Sequence, residues 1–243
     1  MKTLIIIPAR IASTRLPRKM LADVGGEPLI VKTYKSVLAA GVGDVLVACD
    51  GEEIAEVIRR VGGTAILTDP DLQSGTDRVY AAASIHDKDK SYDFVINVQG
   101  DMPFVDAEFV RVGHRMAREL DYDAFTLATP IRDDSYLLDS VVKPVIAFKS
   151  STTGQALYFS RSPAPNGGPY YHHLGIYCFR RDALERYVKL PQSPLEKIEK
   201  LEQLRMLENG MTIGISVLNM APPISVDVLA DLERARAYAI GGD

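Results

Sequence analysis

The sequence predicts an α/β fold, a doubly wound and mostly parallel sheet with a smaller β-rich subdomain inserted at about residues 130–180. In the N-terminal half, short apolar runs alternate with helix-period stretches, the pattern of strands joined by right-handed helical crossovers. After Pro130 this rhythm gives way to strand–turn–strand patterns rich in β-branched and aromatic residues. A late strand and a closing helix then return. The 243 residues, 47% hydrophobic and 25% charged, suit one domain spanning 1–243.

Leu4–Ile7 is continuous and apolar, so it reads as a buried strand. Glu27–Ala40 follows as a helix, and Asp44–Ala48 as the second strand. Asp50 is a candidate N-cap, with Glu53 three residues on, for a helix running to about Val61. Gly62-Gly63 ends it before the strand Thr64–Leu67. Ser74–His86 is a helix, Phe94–Val98 a strand and Ala107–Leu120 a helix. In the middle, Val145–Phe148 and Ala156–Phe159 flank the polar turn 150–154, and His172–Phe179 is a further strand. Leu195–Leu207 is expected as one helix, capped by Ser193 with Pro194 at its first position and Glu196 completing a capping box. Thr212–Val217 and Leu229–Ala239 close the chain as strand and helix.

Composition narrows the function. Lys and Arg number 28 against 32 Asp and Glu, an acidic balance that argues against a nucleic-acid partner. The first apolar run stops at Pro8, too short for a secretory signal, and no run approaches the roughly 18 apolar residues of a membrane span. Cys49 and Cys178 cannot build a disulfide framework and suit a cytoplasmic location, as buried small apolar side chains. Neither a Gly-x-x-x-x-Gly-Lys-Ser/Thr loop nor a Gly-x-Gly-x-x-Gly turn after a strand is present, which excludes a P-loop and disfavours dinucleotide chemistry. Hydrolase and common zinc motifs are missing as well.

In open α/β sheets ligands gather beyond the carboxyl ends of strands. Just after the first strand, Arg10, Arg15, Arg18 and Lys19 crowd one loop with no acidic residue before Asp23. Such a cluster needs an anion, and a triphosphate fits: arginine offers forked donors and lysine a mobile point charge. Asp101 follows Gly100 at the end of the fourth strand, where it is either a turn residue or a Mg2+ ligand. Asp227 is either a helix cap or a second ligand. Ser74 and Asp77 read in isolation as helix caps. His172 and His173 face opposite ways on a strand, so they do not share one zinc. Glu199, Glu202 and Arg205 read as a salt-laced surface helix, and Asp121-Tyr122-Asp123 as a turn before the next strand rather than the Asp-x-Asp motif of a glycosyltransferase.

Seven segments in order resemble the 3-deoxy-manno-octulosonate (Kdo) cytidylyltransferases, the CMP-Kdo synthetases. They are 7–19, 74–78, 97–101, 157–161, 173–177, 201–205 and 226–232. The resemblance implies a nucleotide-diphospho-sugar transferase-like fold and a nucleotidyltransferase that makes CMP-Kdo and diphosphate from CTP and Kdo with Mg2+, for lipopolysaccharide biosynthesis in a bacterial cytoplasm. It implies that Ala9, Arg10, Arg15, Lys19, Ser74, Gly75, Asp77 and Arg78 bind CTP. Arg10, Lys19 and Asp101 would be catalytic, with Asp101 and Asp227 as metal ligands. Gln99, Arg161, His173, Tyr177, Glu202 and Gln203 would receive the sugar acid, Arg161 facing its carboxylate. It also implies a homodimer, with the 130–180 subdomain serving sugar binding and dimerisation. Arg18 stands where the family commonly has glycine, Met102 where many members have glutamate, and Val228 in place of a common threonine. The alternatives are transfer to another acidic sugar, 8-amino-Kdo or a sialic acid, and a nucleotide sensor without turnover.

Overall fold

The computed structural model describes residues 1–241. The chain folds into two compact units, Met1–Arg111 with Pro223–Asp243, and Val112–Pro222. The second is wider than the segment singled out by the change in strand rhythm.

The first unit is built on four parallel strands: Thr3–Ala9 (β1), Asp44–Cys49 (β4), Thr64–Leu67 (β5) and Phe94–Asn97 (β6), in the order β5-β4-β1-β6. β1 is central and buried along its whole length, as its unbroken apolar run requires. Two short strands, Asp23–Val24 (β2) and Glu27–Pro28 (β3), form a hairpin around Gly25 and Gly26, at φ 63° and 85°. That hairpin takes the place of the first turn of the helix expected from Glu27. A pair of glycines at positive φ is the signature of a two-residue hairpin turn, and the helix Leu29–Leu38 (α1) starts only after Pro28. Glu52–Arg60 (α2) buries Ile54, Ala55 and Ile58 and turns its charges outward. Its N-cap is Gly51, not Asp50, whose carboxylate is committed elsewhere. Gly75–His86 (α3) is capped by Ser74, and Ala107–Glu119 (α4) follows β6. Leu229–Ala239 (α8) belongs to this unit and matches its sequence bounds.

The second unit carries Ala124–Pro130 (β7), Lys143–Phe148 (β8), Thr153–Ser160 (β9), Tyr171–Arg180 (β10) and Ile213–Val217 (β11) in the order β10-β7-β11-β9-β8. Only β7 and β11 run parallel; the other pairs are antiparallel. The fold is α/β, with the parallel strands concentrated in the first unit.

The single helix expected over 195–207 is two helices, Pro194–Glu199 (α6) and Leu204–Glu208 (α7). The chain breaks at Lys200, whose φ of 56° ends α6. Glu196 explains the break. Its carboxylate accepts from Ser193 N at 3.1 Å and grips Arg205 through Nε at 2.8 Å and Nη2 at 2.5 Å. A straight helix could not fold Arg205 back onto Glu196, nine residues earlier. Arg205 is buried and also lies over the Tyr187 ring at 4.8 Å, so this stretch is not a surface helix. Tyr187 belongs to the short helix Arg181–Tyr187 (α5), a stretch the sequence reading left unassigned.

Candidate active site

β1 delivers the chain to a loop that gathers the predicted cations. Ala9 closes the strand and is buried. Arg10 is exposed and enters no hydrogen bond or ion pair among the described residues. Arg15 is exposed and donates to Asp227 Oδ1 at 3.0 Å. Arg18 adopts the left-handed conformation, φ 57°, and pairs with Glu53 of α2. Glycine takes that conformation freely, whereas any other L-residue does so at a cost of roughly 1–2 kcal/mol. Lys19 then turns inward and is only 7% exposed.

Lys19 Nζ donates to Asp101 Oδ2 at 2.9 Å and to Asp227 Oδ1 at 3.2 Å. Two carboxylates 126 positions apart in sequence therefore share one cation. Backbone geometry holds them there. Gly100 lies so close to β1 that a Cβ on it would stand 2.7 Å from Pro8 O, so only glycine lets the strand end turn there. Thr33 Oγ1 donates to Gly100 O at 2.9 Å, and Val226 N donates to Asp101 O at 2.9 Å. Asp227 does not cap α8. Asp231 does so instead, accepting from Asp227 N and Val228 N at 2.9 and 3.1 Å, and this leaves the Asp227 carboxylate pointing at the cations.

Ser74 and Asp77 bind each other at the start of α3, with Asp77 N donating to Ser74 Oγ at 3.1 Å and Ser74 Oγ to Asp77 Oδ2 at 2.8 Å. A Cβ on Gly75 would lie 3.8 Å from the Pro8 ring, which brings this turn beside the end of β1. Arg78 departs from its expected place. It is 0% exposed, and its guanidinium is held by Thr68 Oγ1 at 2.5 Å, Pro70 O at 3.4 Å and Asp50 Oδ2 at 3.7 Å. Burial pulls its pKa below the ordinary arginine value, and Asp50 opposes that shift. Gln99 is half-buried immediately before Gly100.

In the second unit, a bulge in β10 between His173 and Tyr177 places His173, Tyr177 and Glu202 together. His173 Nε2 lies 2.9 Å from Thr126 Oγ1, which itself donates to Ile176 O at 2.7 Å. The threonine proton is thereby spent, so Nε2–H is the donor and Nδ1 keeps a lone pair. Burial lowers the His173 pKa to about 3, with His172 adding repulsion, so the ring is neutral at physiological pH. It packs edge-on against Phe159 and Tyr177 at 4.9 and 5.4 Å. Tyr177 Oη is buried without a hydrogen-bond partner, and burial together with the nearby Glu202 charge raises its pKa well above the usual phenol value. Gln203 is also buried. Arg161 donates to three carbonyls: Glu199 at 2.8 Å, Asp139 at 2.8 Å and Lys200 at 3.4 Å. It therefore clamps the break after α6, a role its sequence position did not reveal.

A family model described as Cytidylyltransferase matches residues 4–213. The 3-deoxy-manno-octulosonate cytidylyltransferase of Parvibaculum lavamentivorans is 48% identical over 236 residues, covering 96% of this chain and 91% of that protein. That of Paramagnetospirillum magneticum is 46% identical over 237 residues, covering 96% of each. The chain belongs to the 3-deoxy-manno-octulosonate cytidylyltransferase family. A solved CMP:2-keto-3-deoxy-manno-octonic acid synthetase in complex with CTP superposes with a TM-score of 0.89 at 37% identity, over 99% of both chains.

As a Kdo cytidylyltransferase-family chain, it carries polar groups whose partners sequence reasoning did not identify. Thr126 orients His173, Asp231 releases Asp227 from capping, and Glu196 neutralises Arg205. Asp50 accepts from Ile11 N at 2.8 Å. The spacing of Asp231 after Val228 was a readable capping signal; the other three partnerships join residues at least nine positions apart and left no local trace.

Proposed function

We propose that this chain transfers CMP from CTP to Kdo with release of diphosphate. The anomeric hydroxyl attacks the α-phosphorus; a new P–O bond forms to the sugar, the bond to the α,β-bridging oxygen breaks, and the hydroxyl proton leaves to solvent. The observation that carries this reading is the convergence of Asp101 and Asp227 on Lys19, with Arg15 on Asp227, in the loop that also carries the exposed Arg10. Such a cluster of alternating charge has two tasks in phosphoryl-type transfer, holding the reactants in line and neutralising the charge of the leaving group.

The donor set fits Mg2+. Two hard carboxylates already converge on a shared cation, and Mg2+ binds through one or two carboxylates plus waters and substrate phosphates. Asp101 and Asp227 would hold it, and when bound it supplies Lewis-acid polarisation of the α-phosphate. Arg10, Arg15 and Lys19 bind and orient the triphosphate, and Lys19 and Arg10 stabilise the departing diphosphate. The backbone at Ala9 and the turn at Ser74, Gly75 and Asp77 place the cytidine, while Arg78 supports that wall from inside.

For the sugar acid, His173 Nδ1 offers an acceptor and Tyr177 Oη a donor, and both are held rigid by packing. Arg161 spends one N–H of each nitrogen on carbonyls, so two of its five remain for the sugar carboxylate. Gln99, Glu202 and Gln203 read the hydroxyls. We place the protein as a homodimer in a bacterial cytoplasm, serving lipopolysaccharide biosynthesis, with the 130–180 subdomain at the sugar and dimer surfaces. Two free buried cysteines support the reducing compartment, and no helix among the described residues is long and apolar enough to cross a membrane. The acidic balance leaves small molecules, not nucleic acid, as partners.

The test is diphosphate release from CTP and Mg2+ with a panel of sugar acids. Release is expected with Kdo. Release with a sialic acid or 8-amino-Kdo but not with Kdo would overturn the substrate, and CTP binding without turnover on any of them would make the protein a sensor.

A further inference from the structure

We propose that Asp50 is a positioning residue for the basic loop, fixing where Arg10 stands through the amide of the residue that follows it. The proposal rests on the reading of that loop as the triphosphate site. Asp50 directly follows β4, and β4 pairs in parallel with β1, Cys49 beside Ala9. Ile11 lies two residues past Ala9, where the ladder has ended and its amide has lost a strand partner. Asp50 Oδ1 takes that amide at 2.8 Å. One carboxylate thus spans two neighbouring strand ends at the point where the ligand-binding loop begins.

The carboxylate is itself held. Its side chain is 6% exposed, and Arg78 Nη2 stands 3.7 Å from Oδ2. Arg78 reaches it from α3 and is fixed by Thr68, whose hydroxyl also donates to Cys49 O at 3.1 Å. α3, the end of β4 and the start of the loop are therefore tied through one buried charge pair. The far end of the loop is tied to the same β4–α2 region by Arg18 and Glu53, but that pair is exposed and weak. Arg10 lies one residue from the buried anchor and has no side-chain partner among the described residues, so its backbone placement alone aims it. Asp50 is too buried to touch a ligand. It can serve binding only through the groups it holds, Arg78 and the Ile11 amide, and a partly buried backbone N–H left without an acceptor would drive the loop to rearrange.

Two variants separate this role from plain stabilisation. Asp50→Asn keeps an oxygen for the Ile11 amide but removes the charge opposite Arg78; Asp50→Ala removes both. Both should unfold at lower temperature. In calorimetric titration with CTP and Mg2+, Asp50→Ala should bind CTP roughly tenfold more weakly or worse, and Asp50→Asn within about threefold of the parent. The Kdo KM should stay put in both. If Asp50→Ala does not fold, Asp50→Glu takes its place, keeping the charge and displacing the acceptor by a methylene.

Equal CTP weakening in Asp50→Asn and Asp50→Ala, in step with lost stability, would overturn the proposal; so would unchanged CTP affinity in Asp50→Ala. Amide exchange at Ile11 in the unliganded protein gives an independent readout, expected to quicken roughly tenfold in Asp50→Ala but not in Asp50→Asn. If the parent protein bound no CTP, the functional reading would fall, and the exchange contrast alone would still decide whether Asp50 anchors the loop.

Discussion

In the first unit the candidate functional groups are charged: Lys19 stands between Asp101, just past β6, and Asp227, just before α8, with Arg15 on Asp227. In the second unit they are chiefly neutral and packed. His173 is held uncharged by burial, Tyr177 keeps an unpartnered hydroxyl, and the strongest charge pair, Glu196 with Arg205, is interior. The contrast matches the two ligand chemistries proposed. A triphosphate and a metal need charge near water, where it can be exchanged for ligand. A sugar acid is distinguished from its relatives by the positions of its hydroxyls, which fixed neutral donors and acceptors read better than mobile charges. It follows that the charges around Lys19 should matter for turnover and the interior Glu196–Arg205 pair of the second unit for stability, with Arg161 and Glu202 left to the sugar acid.

The strongest test of that division is Asp101→Ala. Turnover should fall by about 10³-fold or more, since the variant loses a metal ligand and the partner that positions Lys19. Thermal unfolding should shift little, because Asp227 still faces Lys19. Near-normal diphosphate release would break the comparison. Arg205→Ala should show the opposite pattern. Leaving Glu196 buried and unpaired costs about 3–5 kcal/mol, read by denaturant unfolding, while CTP affinity of the folded fraction is unchanged.

Tyr177→Phe should raise the Kdo KM roughly tenfold with the CTP KM unmoved. It removes a buried hydroxyl that has no partner in the chain, so stability should hold or rise by about 1 kcal/mol. A stability loss without a KM change would make the hydroxyl structural. The smallest effect is expected from Arg18→Gly. It relieves the left-handed strain but gives up an exposed ion pair and loosens the unfolded chain, so the net change in thermal unfolding should stay within about 1 kcal/mol. A larger loss, erased by high salt, would show that the Arg18–Glu53 pair restrains the loop.

The parallel strands, the basic loop and the candidate metal carboxylates were legible because each is written locally. β1 is an unbroken apolar run, the cations crowd ten positions, and Gly100-Asp101 sits at a strand end. The Gly25-Gly26 hairpin was also written locally, but the helical pattern after it masked the signal. The division of 195–207 into α6 and α7 was not local. The propensity of that stretch is helical throughout, and only the demand of Arg205 for a buried partner overrides it. Arg78 and Arg161 were singled out as candidate ligand-binding arginines, yet nothing near them in sequence reveals Asp50 or the carbonyls of Asp139 and Lys200.

The order of residues by itself determined the α/β class, the family, and which side chains crowd the basic loop after β1. Those follow from periodicity and from motifs whose members lie within a few positions of one another. Tertiary structure alone decided that Asp101 and Asp227 meet on Lys19, that Asp231 frees Asp227 from capping, and that His173 is neutral with Nδ1 open. Each of these depends on a distance or a depth of burial, and neither is defined until strands from remote parts of the chain have paired.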